Sequence, residues 1–186
     1  YVHVPSAFSA FFCGFVMFIA AIVGMKTRGE GAMRTMKAAA EVGLIGTVMC
    51  LATGSIWGRP TWGVWWTWDP RLTTTLILAL LYCGFLLLHA SLPAGVGRIR
   101  ACAVLAILIF VDIPVIYKSV DMWRSIHQPT GIVETRGANM DPAMYRALVY
   151  NFLALVSLVS WMMFLRTKNL RIREQVEAAT FDQMRA

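Results

Sequence analysis

Five stretches of this chain, residues 5–25, 38–57, 72–92, 101–117 and 145–165, are long and almost uninterruptedly apolar. A bilayer's hydrocarbon core is about 30 Å thick and a helix rises about 1.5 Å per residue, so a crossing takes roughly 20 apolar residues. In lipid no water satisfies the backbone, and a run of this length meets that demand as a helix. The expected fold is therefore an all-α polytopic membrane protein, with a transmembrane domain at 1–165 and a charged tail at 166–186. Hydrophobic residues make up 58% of the 186 and charged residues only 15%, a balance that a water-soluble domain has too little polar surface to cover.

The connections between the runs alternate in charge. Residues 26–37 hold four basic side chains, the turn at 93–100 two and the tail five, which is eleven of the 17. The connections 58–71 and 118–144, with Arg146, hold the other six. By the positive-inside rule the first set faces the cytoplasm or a mitochondrial matrix, and 58–71 and 118–144 face outward. That distribution accounts for the net charge of +7 and disfavours nucleic acid as a partner. It also puts Tyr1 outside and Ala186 inside, so a protein with both termini inside is expected to carry a sixth helix upstream.

Cys13, Cys50, Cys83 and Cys102 are widely spaced within apolar runs and form no C-x-x-C pair, which argues against a zinc site, a redox dithiol or a covalent c-type heme motif. No Gly-rich phosphate loop, Ser-His-Asp order or paired carboxylates stand out, so no ATP-hydrolysing module or independent catalytic motif is expected.

Five of the seven tryptophans fall within twelve residues: Trp57, Trp62, Trp65, Trp66 and Trp68, followed by Asp69, Pro70 and Arg71. One or two tryptophans at an interface are ordinary anchors, but five exceed what anchoring needs. A dense set of flat amphipathic rings suits a broad, planar, apolar ligand at the membrane surface. Asp69 and Arg71 read two ways: as a mutual pair or a cap for the third helix, and, for Arg71, as a grip on a ligand carboxylate. His3 precedes the first run and His127 follows Trp123 in the second outward connection, so both lie near the outer interface. A lone histidine there is ordinarily solvated; two beside a tryptophan platform point to ligation, since imidazole is the usual nitrogen ligand of heme iron. His89, at the inner end of the third run, is assigned a structural role. Glu41 is expected to snorkel or pair with the basic 26–37 turn, and Asp112 to satisfy groups freed by Pro114.

The segment Trp57-Gly58-Arg59-Pro60-Thr61-Trp62-Gly63-Val64-Trp65-Trp66-Thr67-Trp68-Asp69-Pro70-Arg71 closely resembles the tryptophan-rich (WWD) signature of the cytochrome c biogenesis heme-handling superfamily. Tyr1-Val2-His3-Val4-Pro5 is similar to the first outward histidine motif of the heme exporter protein C (CcmC) family, and Asp112-Ile113-Pro114 through Trp123-Arg124-Ser125-Ile126-His127-Gln128 to its second. Two positions depart: Pro70 stands where a small residue is common, and Met122 where a second tryptophan is frequent.

The resemblance implies that His3 and His127 are axial ligands of a non-covalent, b-type heme in transit. Trp57, Trp62, Trp65, Trp66, Trp68, Asp69, Arg71 and Trp123 would form the porphyrin site. It implies delivery to a membrane-anchored heme chaperone (CcmE), which takes heme covalently on its own histidine. The ABC exporter subunits CcmA and CcmB, the small membrane protein CcmD and membrane lipid are the other implied partners. The implied setting is a bacterial inner membrane with the site on the periplasmic side, or a mitochondrial inner membrane. Two other classes remain open: a transmembrane b-type electron carrier, which needs histidines inside the spans where only His89 is available, and a heme or lipophilic-anion transporter subunit.

Overall fold

The computed structural model describes residues 2–127 and 141–185. Its elements are five helices: α1 (His3–Thr27), α2 (Glu30–Trp62), α3 (Pro70–Ser91), α4 (Val96–Met122) and α5 (Pro142–Arg185). All five are long and apolar enough to cross a membrane. Residues 128–140 of the expected second outward loop, together with Tyr1 and Ala186, lie outside the described residues.

The first four helices form a bundle in which α1 packs on α2 and α4, and α3 on α2 and α4, while α5 rests against α1 and α2. Short connections force α1 to α4 to run antiparallel in succession. The one between α1 and α2 turns on Arg28, a left-handed residue (φ 53°) whose N–H donates to the Gly24 carbonyl.

Small residues set the closest pairing. Ser6 and Ala10 on α1 meet Gly46 on α2, all three buried. A Cβ on Gly46 would lie 3.4 Å from the Ala10 backbone nitrogen, so the two backbones nearly touch. Between lipid-solvated helices, where burial from water supplies no drive, such close van der Waals contact is what holds a pair together. Beside it the fully buried Tyr82 lays its ring on Gly43 and donates its hydroxyl to the Ala10 carbonyl at 2.8 Å, tying α3 to α1. The outward faces carry exposed Ile45, Val48, Leu80, Leu87, Val104, Leu108 and Leu153, which suit lipid rather than water as solvent.

The helices outrun the apolar segments from which they are inferred. α2 begins at Glu30 instead of 38 and ends at Trp62 instead of 57, so part of the supposed 58–71 loop is helix. Hydropathy marks only what lies in hydrocarbon, whereas the backbone ladder continues into the interface, here through Pro60 to a cap at Gly63 (φ 79°). The same holds at 166–185, which continues α5 unbroken to Arg185.

Candidate functional site

One end of the bundle gathers the start of α1, the end of α2, the start of α3 and the segment after α4. It carries the tryptophans. The opposite end carries the basic clusters and is called the basic end below.

The tryptophan end is organised by Asp69. This residue is the N-cap of α3, with Pro70 at the first helical position and the Arg71 N–H donating to its Oδ1 at 3.0 Å. The capping half of the Asp69–Arg71 reading is thus what the structure shows; the Arg71 guanidinium turns away and donates to the Tyr117 carbonyl at 3.2 Å. Asp69 does more than cap. Its Oδ2 accepts the Ser125 hydroxyl at 2.6 Å and the Ile126 N–H at 2.9 Å, and its Oδ1 lies 2.9 Å from Nδ1 of His127. The carboxylate is 2% exposed and takes four hydrogen bonds on two oxygens. Burial pulls its pKa up, but the bonds from Ser125, Ile126 and Arg71 and the nearby His127 outweigh it and hold the carboxyl below its ordinary range.

An ionised carboxylate only accepts, so Nδ1 of His127 carries the proton and Nε2 keeps a lone pair. Burial holds the His127 pKa below the usual imidazole value against the pull of the Asp69 carboxylate, with Arg71 and His3 adding to the depression. The ring is therefore neutral at pH 7. It packs edge-on against Trp62, with centroids 4.7 Å apart.

His3 arrives at the same end by a different route. Its Nδ1 lies 2.9 Å from the Cys50 carbonyl and 3.2 Å from the Thr53 hydroxyl, both on α2. A carbonyl cannot donate, so His3 too is protonated at Nδ1 and free at Nε2. The ring fits because residue 54 is glycine: a Cβ there would stand 2.8 Å from His3 Cε1. Gly54 also lines a shallow depression with Trp62, Val64, Trp65, Trp66, Thr67 and Leu72. Gly54 and Trp62 thus join the surroundings of the two histidines.

Around this depression the aromatic rings are largely uncovered. Trp57, Trp65, Trp68 and Trp123 are each at least half exposed. Trp57 meets Trp62, and Trp66 meets Trp68, in edge-to-face pairs. The Thr67 hydroxyl is buried without a hydrogen-bond partner among the described residues. Flat faces, two imidazole lone pairs and one unpaired hydroxyl at a single end of the bundle fit a planar metal macrocycle.

Sequence reasoning missed Cys50, Thr53, Gly54 and Ser125. Only Gly54 left a trace, in the four-residue spacing Gly46, Cys50, Gly54, Gly58 that marks a helix face made for close approach. Two other expectations change. Glu41 is paired, but with Arg166 of α5, through Oε1 at 2.9 Å and Oε2 at 2.5 Å, because it projects toward α5 and not toward the 26–37 turn. Asp112 was expected to satisfy groups freed at Pro114, yet its Oδ2 is buried with no partner among the described residues. Proline frees a carbonyl, and no hydrogen bond joins the buried Oδ2 to one. His89 sits in the last turn of α3, nineteen residues or about 28 Å of helix from Pro70, at the basic end.

Fold and site together define a class: an all-α polytopic membrane protein with a histidine and tryptophan site at one end of its bundle. The chain belongs to the heme exporter protein C family, whose model matches residues 1–182. It is 35% identical over 178 residues to the heme exporter protein C of Bradyrhizobium diazoefficiens, covering 96% of this chain and 68% of that one. It is 33% identical over 170 residues to that of Escherichia coli K12, covering 91% and 68%. A ccmC-like mitochondrial protein of Marchantia polymorpha, named for cytochrome c biosynthesis, is 37% identical over 132 residues, covering 71% and 55%.

Proposed function

We propose that this protein binds heme at its tryptophan end and delivers it to a membrane-anchored heme chaperone (CcmE) during c-type cytochrome maturation. The observation that carries the reading is the pair of histidines, each with Nδ1 tied to an acceptor and Nε2 left to bind a metal, His3 against Gly54 and His127 against Trp62. His3 and His127 are the axial ligands, and the rings of Trp57, Trp62, Trp65, Trp66, Trp68 and Trp123 receive the macrocycle. Arg71, with donors to spare beyond its bond to Tyr117, faces a propionate. Heme is cargo here, non-covalent and b-type. The nucleophile for its covalent capture belongs to the chaperone, and this chain supplies position and an aromatic surface.

The basic-residue distribution favours an outward tryptophan end, periplasmic in a bacterial inner membrane or on the intermembrane side in a mitochondrion. An ABC exporter of CcmA and CcmB, with CcmD, completes the proposed assembly. The test is the absorption spectrum of the purified protein with and without the chaperone, alongside covalent heme on the chaperone. The reading expects a six-coordinate heme spectrum and chaperone heme that depends on this protein. Chaperone heme formed at the same level without it would overturn delivery; histidine-independent heme would overturn the site.

A further inference from the structure

We infer that the two axial positions are built unequally: Asp69 is a positioning residue that makes His127 the anchoring ligand, and His3 is the ligand made to let go. This rests on the reading that both rings ligate heme iron. The difference lies in what each Nδ1–H meets. For His127 it is a carboxylate, 2% exposed and immobilised by Ser125, Ile126 and Arg71. A hydrogen bond to a charged acceptor is about twice as strong as a neutral one and pushes electron density into the ring, which strengthens Nε2 as a donor.

For His3 the acceptors are neutral. They are a helix carbonyl, Cys50 O, and a threonine hydroxyl whose own proton is committed to the Met49 carbonyl at 2.6 Å. Neither carries a charge to raise the basicity of the ring. Asp69 also bridges two elements, the N-terminus of α3 and the segment after α4, so His127 is fixed to the frame through its ring and through the Ile126 N–H and Ser125 hydroxyl that precede it. His3 is held to α2 through its ring nitrogen alone among the side-chain bonds described.

Release then has an order. The dative bond from His3 Nε2 to iron breaks first and the electron pair returns to the imidazole. The opened position would then be free for a donor group of the recipient, with no change in oxidation state, while His127 would hold the macrocycle on the tryptophan surface until the exchange is complete.

The experiment uses the full chain, heme-loaded and heme-free. His3→Gly should retain heme as a five-coordinate species that added imidazole restores to six-coordinate, whereas His127→Gly should retain at least about tenfold less. Asp69→Asn keeps an oxygen acceptor and a capping side chain while removing the charge. It should shift the heme reduction potential upward and lower heme affinity about tenfold or more. In the heme-free protein, ring nitrogen-15 resonances should show both histidines protonated at Nδ1, and Asp69→Asn should shift those of His127 and not His3. Equal heme retention by the two Gly variants, or an unmoved potential in Asp69→Asn, would overturn the inequality while leaving ligation by both histidines intact. Heme bound with full six-coordination in both Gly variants, without added imidazole, would instead sink the reading beneath it and the inference with it.

Discussion

The two ends of this bundle solve opposite problems. At the basic end charges are paired across elements: Arg34 with Glu174 at 2.6 Å, Arg98 with Glu30 at 3.1 Å and Arg166 with Glu41. These contacts join α2 to α5 and α4 to α2. At the tryptophan end one buried carboxylate collects four donors, while four tryptophans stay at least half exposed and two imidazoles keep Nε2 unbonded to any neighbour described. A protein that needed only to stand in a membrane would gain nothing from that. The contrast separates groups spent on structure from groups held ready for a ligand.

The sharpest way to break the contrast is to strip the aromatic surface. Combined Ala replacement of Trp62, Trp65, Trp66 and Trp68 should lower covalent heme on the chaperone on the order of a hundredfold, since stacking at about 0.5–1.5 kcal/mol per ring compounds over four rings. The yield is normalised to membrane abundance, which should fall less than twofold. Transfer that survives the replacement would reduce the tryptophans to interfacial anchors.

Two glycines give a smaller and more discriminating comparison. At Gly54 a Cβ would press on His3, and at Gly43 it would lie 2.6 Å from the Tyr82 ring, far from the site. Both Ala variants should lose about 1–3 kcal/mol of stability through overpacking, read as thermal melting in detergent. Only Gly54→Ala should also alter the Soret band of bound heme. A spectral change in Gly43→Ala would show that core packing, not the His3 contact, governs the site.

The basic end should be the most forgiving. Glu41→Gln removes a partly exposed ion pair, worth at most about 1 kcal/mol, and should leave heme affinity unchanged within a factor of two in a titration. A tenfold loss there would mean that the two ends are coupled through α2.

How much of this is written in the sequence follows from range. The five helices are legible because hydropathy is a local signal and lipid leaves a long apolar run one way to fold. Helix ends are not, because α2 runs on from Gly58 to Trp62 where composition reads as loop. His3, His127 and the tryptophans stand out by residue type and topology. The role of Asp69 does not: its partners Ser125, Ile126 and His127 lie 56 to 58 residues away, and nothing local distinguishes a cap from a hub. Glu41 and Arg166 are 125 residues apart, and Glu41 has nearer basic residues in sequence that the fold does not bring to it. Pairings of this kind are properties of the packed bundle.

The central claim is that the histidines of one end, and not the other, hold heme iron. The direct measurement is the electron paramagnetic resonance and Soret spectrum of oxidised, heme-loaded protein for His3→Ala, His127→Ala and His89→Ala, each normalised to protein. The account predicts that the low-spin, two-nitrogen signature is lost in the first two and retained at full intensity in the third. Retention in both His3→Ala and His127→Ala, or its loss in a stably inserted His89→Ala, would contradict it.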